Sequence, residues 1–363
     1  MKAMSVVGFA VVVTCVLHVE LAWADGKDSE GLPARSRYGW AELKEEDLQG
    51  QVERWAQVIR DNPTNSPAYY NIGVILCGTG KEMLAVQYFL QAVKVDPQNI
   101  EALWQAAEIY RRASCVRETE ALYSRLVKVT GHGEREVLAL VQLYVEREML
   151  VSAARVIDEA RRMGRESVEL DSEAAYLMLL AGKSKQAEAA YGEIIRSNRG
   201  HAMAHAGLAA SILAGDSARA LEARKLAEQA VELSGRRCPR SFYVLALCCS
   251  SEGDGAGAEE AWMNVLRIVP THCGAWQNLG AAALGGGDIG RARECFRRVL
   301  EQRPHKLDAQ FNLVRALVAS SRTYAEGVRM LGGLARQAKS GNRAAVKGAL
   351  LLKHLAARGR ETR

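Results

Sequence analysis

A recurrence of about 34 residues governs this chain. Tyr69, Leu103, Val137, Asp171, His205, Phe242, Trp276 and Gln310 open eight related segments, in equal steps lengthened once, between His205 and Phe242. Each segment holds two short apolar runs at helical spacing, divided by a Gly-rich or polar turn. One such pair of helices cannot bury its own apolar face, whereas stacked pairs can, so repetition favours an array over two or three separate cores in 363 residues. The prolines agree. Apart from Pro33 near the start, Pro63, Pro97, Pro270 and Pro304 close segments while Pro67 and Pro239 open them, and none falls inside a helical run.

Within the seventh segment the fixed positions are Trp276, Leu279-Gly280, Ala283, Ala292, Phe296, Val299 and Pro304. In the first they are Tyr69, Ile72-Gly73, Leu76, Ala85, Phe89, Ala92 and Pro97. This pattern resembles the tetratricopeptide repeat family, in which small residues let two helices approach and larger ones fill the contact. The resemblance implies an all-α, right-handed superhelical solenoid of helix-turn-helix repeats. It divides the chain into a signal over 1–24, a leader over 25–43, a half-repeat over 44–65 carrying Trp55, Val58 and Pro63, eight repeats over 66–340, and a capping helix with a basic tail over 341–363.

Departures from the pattern carry expectations of their own. Leu140-Val141 and Ala174-Ala175 replace the Leu-Gly pair in the third and fourth repeats, and Glu326 and Gly333 stand where alanine is preferred in the last, which predicts looser packing there. Extra residues lengthen the repeat around His205, between Gly215 and Arg224. The final helix is expected to cover the array with Val346, Leu350 and Leu351 or Leu352, leaving Arg343, Lys347 and Lys353 in water.

The first residues read as an export signal: Met1-Lys2, an apolar run from Val6 to Leu17, and Ala22-Trp23-Ala24 for cleavage. A competing reading makes Cys15 a lipidated residue, but Thr14 stands where such motifs place a small residue, so the ordinary signal is favoured. An exported, periplasmic or envelope location is therefore expected. The net charge of +6 resides in the segment from Leu334 to Arg363, where eight basic side chains face Glu361 alone. The near-neutral remainder gives no nucleic-acid footprint, while the tail suits anionic lipid headgroups. Cys77, Cys115, Cys238, Cys248, Cys249, Cys273 and Cys295 remain after the signal, an odd number with no CxxC spacing, and read as free, mostly buried thiols.

Three places invite a chemical reading. Gly285-Gly286-Gly287-Asp288-Ile289-Gly290 formally reads G-x-G-x-x-G but follows a helix where a nucleotide site needs a strand. His201 and His205 are four apart, as two metal ligands on one helix would be, yet no third ligand accompanies them and His205 occupies a packing position. Carboxylates lie among arginines and lysines on helical surfaces. These features predict a non-catalytic chain with no cofactor and no metal.

By the family resemblance, the first helices of the repeats line the inside of the superhelix and meet a protein or peptide partner. The positions that this assigns are Tyr70, Asn71, Trp104, Gln105, Glu108, Arg111, Arg112, Gln142, Tyr176, Tyr243, Gln277, Asn278, Phe311, Asn312 and Arg315. Trp104 and Tyr243 are expected as aromatic anchors, and Asn71, Asn278 and Asn312 as amide contacts. The lysine and asparagine clamp with which some family members hold an acidic C-terminus is not present, since Tyr70 and Val74 occupy two of its positions. The second reading, from a different class, is a small-molecule or metal-binding accessory protein that uses His201 and His205.

Overall fold

In a computed structural model, residues 45–336, 344 and 346–353 are described, so the signal, the leader, Cys15 and most of the basic tail lie outside them. The chain forms two compact units with their boundary in the chain between Ile194 and Ile195. In the N-terminal unit, α1 (Glu45–Asp61) precedes the pairs α2 (Ser66–Gly78) with α3 (Glu82–Val95), α4 (Ile100–Arg112) with α5 (Val116–Val129), and α6 (Glu134–Glu146) with α7 (Leu150–Arg162). Next come α8 (Val168–Leu180) and α9 (Ser184–Ser197), the helix in which the boundary falls. The C-terminal unit pairs α10 (Ala202–Gly215) with α11 (Ala220–Leu233) and α12 (Pro239–Glu252) with α13 (Gly255–Ile268). It continues with α14 (Cys273–Gly285) and α15 (Ile289–Gln302), then α16 (Leu307–Val318) and α17 (Tyr324–Arg336). All regular secondary structure among the described residues is helical, in an α-solenoid of helix-turn-helix repeats, and none of these helices is long and apolar enough to cross a membrane.

Each first helix begins at the same register position, and its cap shows how little the repeat demands there. Asn65, Asn99, Ser167, His201 and His272 each accept the N–H of the residue three further on. That bond satisfies a donor which the helix start leaves unpaired. First helices end in left-handed backbone at Gly80, Ser114, Glu148, Gly182, Gly253 and Gly287, again one repeat apart within each run. The G-x-G-x-x-G string is this turn, with Gly287 as its left-handed residue. Ser114 holds φ 58° with a Cβ in the way. Ser114→Gly is therefore expected to stabilise the chain by about 0.5–1 kcal/mol, read from the guanidinium unfolding midpoint.

Packing within a repeat follows a rule of complementary size. A Cβ on Gly73 would lie 2.6 Å from a Phe89 ring carbon, and one on Gly280 2.8 Å from the Phe296 ring, so each glycine is the space that its phenylalanine fills. From Phe296 the core continues to the next repeat through Ala292, Leu313, Ala316 and Leu317. In the third repeat Val141 takes the glycine position and Ile157 the phenylalanine position, and both are enclosed. The smaller side chain on one helix offsets the residue gained on the other, yet α6 and α7 still meet more sparsely than α2 with α3 or α14 with α15, in keeping with the expected looseness.

Two repeats change register at a 3₁₀ turn before their second helix, Ser217–Arg219 and Ser321–Thr323. In the last repeat the turn slides α17 by one residue, so Gly327 and Leu334, not Glu326 and Gly333, take the alanine positions. A Cβ on Gly327 would lie 2.7 Å from Val318, Leu334 is buried, and Glu326 is left facing Arg297 at 3.8 Å. The terminal helical residues 346–353 also meet the array otherwise than expected. Gly348 lies against Leu334 and Leu331, with Ala344 buried beside it, while Val346 and Leu350 are exposed. The glycine allows the closest approach, which turns Val346 and Leu350 outward. Lys347 and Lys353 are exposed as expected.

Candidate functional site: the first-helix faces

Residues that the repeat core does not consume lie on the first helices, and each unit carries its own set. In the N-terminal unit Tyr70 packs on Phe89 at 5.6 Å between ring centroids and bonds Gln105 on the next first helix. Its phenol is raised above the ordinary tyrosine value, by burial and then by Glu101. Asn71 and Gln142 are half-buried, and Gln142 donates to Glu146 at 3.3 Å.

Glu108 is the centre of this surface. It accepts a hydrogen bond from the buried Tyr123 hydroxyl of α5 on one oxygen, and Arg111 Nη2 at 2.9 Å and Nε at 3.1 Å on the other. Tyr123 is held protonated by burial and then by the Glu108 charge, with Glu146 adding to the effect. Glu108 and Arg111 remain partly open, with side chains 31% and 42% exposed, so the fork can meet another molecule without unfolding the repeat.

Several of the expected contact residues are corrected. Trp104 is buried: its indole N–H donates to Glu136 at 3.0 Å, Arg135 covers its face at 4.1 Å, and Tyr123 meets it edge-on at 5.5 Å. Gly133 makes room for this, since a Cβ there would lie 2.1 Å from Glu136 Oε2. Arg112 leaves the face for the turn, where it pairs with Glu82 at 3.0 Å. Tyr176 and Tyr243 are enclosed. Asn278 is buried too, donating to the Tyr243 hydroxyl at 3.1 Å, and the Tyr243 ring packs on His272 at 5.2 Å. Gln277, Phe311 and Asn312 are half-buried and Arg315 is exposed, and they are the open members of the C-terminal set.

The paired histidines are likewise committed to the fold. His201 Nδ1 caps α10 through the Ala204 N–H at 3.0 Å, and His205 Nε2 lies 3.0 Å from the Arg199 carbonyl, so the two rings serve different backbone partners. Among the described residues no three of His, Cys, Asp and Glu gather as a metal site. The seven cysteines among the described residues carry thiols, with Cys115 and Cys238 half-buried and the others buried. Burial pushes the Cys248 thiol up to about 12, which keeps it protonated and inert.

Comparison with known proteins agrees with the repeat fold. Family models described as tetratricopeptide repeat match residues 66–99 and 278–345. A solved tetratricopeptide repeat protein from Parabacteroides merdae is 16% identical with a TM-score of 0.51, over 62% of this chain and 88% of that one. A structure of the APC/C hetero-tetramer Cut9-Hcn1 is also 16% identical, with a TM-score of 0.55 over 88% of this chain, which spans 61% of that one. At such identity the likeness is one of fold. No curated protein matches in sequence.

Proposed function

Because the chain is a tetratricopeptide repeat protein, we propose that it is a non-catalytic scaffold that holds a protein or peptide partner on its first-helix faces, in the envelope of a cell that exports it. The observation that carries the reading is the Glu108 fork. Its carboxylate and guanidinium lie partly open on a helix whose other face is wholly committed to packing, and fixed polar groups beside a rigid wall suit a peptide backbone and side chains. Tyr70, Gln105 and Gln142 extend that surface in one unit, and Gln277, Phe311, Asn312 and Arg315 form its counterpart in the other. The location rests on the signal-like residues 1–24.

A photo-crosslinking residue placed at Gln105 or Gln277 in the producing cell is expected to trap a partner, whereas one at Arg297 on the second helix α15 is not. Adducts at Arg297 alone, or at none of the three, would remove the first-helix faces from the interface. With the trapped partner in hand, Phe311→Ala should weaken binding by about tenfold or more, the usual loss for an aromatic contact. The mass of the mature chain tests export, with Asp25 as the expected first residue.

A further inference from the structure

Two arginines of the chain itself lie against carboxylates and an aromatic ring on the first-helix face of the N-terminal unit. Arg135 lies 4.1 Å over the Trp104 ring, beside the Glu136 carboxylate that accepts the indole N–H. Arg111 lies in the Glu108 fork, within the influence of Glu146 as well. An aromatic face backed by carboxylate and a carboxylate pair are both environments that favour a guanidinium. Two carboxylates, Glu108 and Glu146, act on Arg111. Glu134 and Glu169, at the starts of α6 and α8, share a hydrogen bond, and partial burial followed by the Glu169 charge raises the Glu134 carboxyl. Such crowding of like charges is relieved by an incoming cation. Both arginines are exposed, and ion pairs at that exposure are held weakly enough to be exchanged.

We propose that this face receives a basic segment of the partner protein, whose arginine or lysine side chains replace Arg111 at Glu108 and Glu146 and Arg135 over Trp104. The inference rests on the scaffold reading and specifies the partner for one of its two faces. Arg111 and Arg135 hold the site in the free protein and move into solvent on binding. Trp104 and Glu108 lie a turn apart on α4 and Glu146 lies on α6, so the segment would carry separated cations rather than a single one.

The test uses the full mature chain and two fluorescein-labelled peptides, alternating glycine with arginine in one and glycine with glutamate in the other. The arginine peptide is expected to bind saturably and the glutamate peptide not to bind. The double variant Glu108→Gln, Glu146→Gln, which keeps an acceptor for the Tyr123 hydroxyl, should weaken binding by at least about fivefold, whereas Glu118→Gln on α5 should leave it unchanged. Arg111→Ala should tighten binding by about threefold or more, since it removes the competing cation. A purely structural role for the fork would give no such gain. Equal binding of both peptides, weaker binding by Arg111→Ala, or no saturation below about 1 mM would each overturn the proposal. If crosslinking at Gln105 traps a partner whose contacting segment is not basic, the scaffold reading stands and this inference falls.

Discussion

Phe296→Ala is expected to destabilise the C-terminal unit by about 3–5 kcal/mol, the range for deleting a fully buried aromatic side chain when its surroundings cannot close the cavity. They cannot close here. The ring lies directly against the Gly280 backbone on one side and against Leu313 and Leu317 of the following repeat on the other, and both walls belong to rigid helices. Gly280→Val should be costly for the opposite reason. Even the first carbon of its side chain would lie 2.8 Å from the Phe296 ring and 3.0 Å from Cys295 Cβ, and overpacking of this kind typically costs about 1–3 kcal/mol. The third repeat already contains the compensated pair, Val141 with Ile157, both enclosed. Adding Phe296→Ile to Gly280→Val should therefore recover part of the loss, and the two changes should be strongly non-additive in a double-mutant cycle read from guanidinium unfolding. Simple additivity would show that glycine and phenylalanine do not share one contact.

Acid should weaken the same unit through His272. This residue caps α14 by accepting the Ala275 N–H on Nδ1, and it is almost wholly buried against Tyr243. Burial, followed by the nearby Lys306 and Arg303 charges, lowers its pKa from 6.5 to about 4. Above pH 6.5 the ring is neutral in both states and the cap contributes fully. Between pH 6.5 and 4 the unfolded chain takes up the proton while the folded chain does not, so stability falls as pH falls and levels off below about 4. The window corresponds to roughly 3 kcal/mol at about 1.4 kcal/mol for each pH unit. His272→Asn isolates this contribution. Asn65 and Asn99 cap α2 and α4 at the same register position through their side-chain oxygens, so the variant keeps the bond and loses the titrating group. The stability difference between wild type and variant should be nearly constant above pH 7 and move in the variant's favour as pH drops to 4. A difference flat with pH would place the His272 proton elsewhere.

The repeat and its register were legible in the residues alone, because they depend on short-range physics that recurs. Apolar residues at helical spacing, a Gly-rich or polar turn between the two helices of a repeat and a small residue opposite a large one are local requirements that recur along the chain. Where a second signal broke the spacing, register was harder to follow. The turn at Ser321–Thr323 moved Gly327 into the place that counting assigned to Glu326, since a 3₁₀ turn can absorb a residue without leaving a pattern of its own.

Which first-helix residues are open was decided only by tertiary structure. Tyr70, Trp104 and Tyr243 stand at equivalent positions, yet Tyr70 is half-buried while Trp104 is closed by Arg135 and Glu136 and Tyr243 by His272 and Asn278. The groups that close them come from the following repeat, far along the chain, and their reach depends on small permissions such as Gly133 beside Glu136. A repeat pattern records what every repeat needs in order to pack. Exposure at a given position depends on the particular neighbour that the stack brings to it, and that neighbour is free to differ from one repeat to the next.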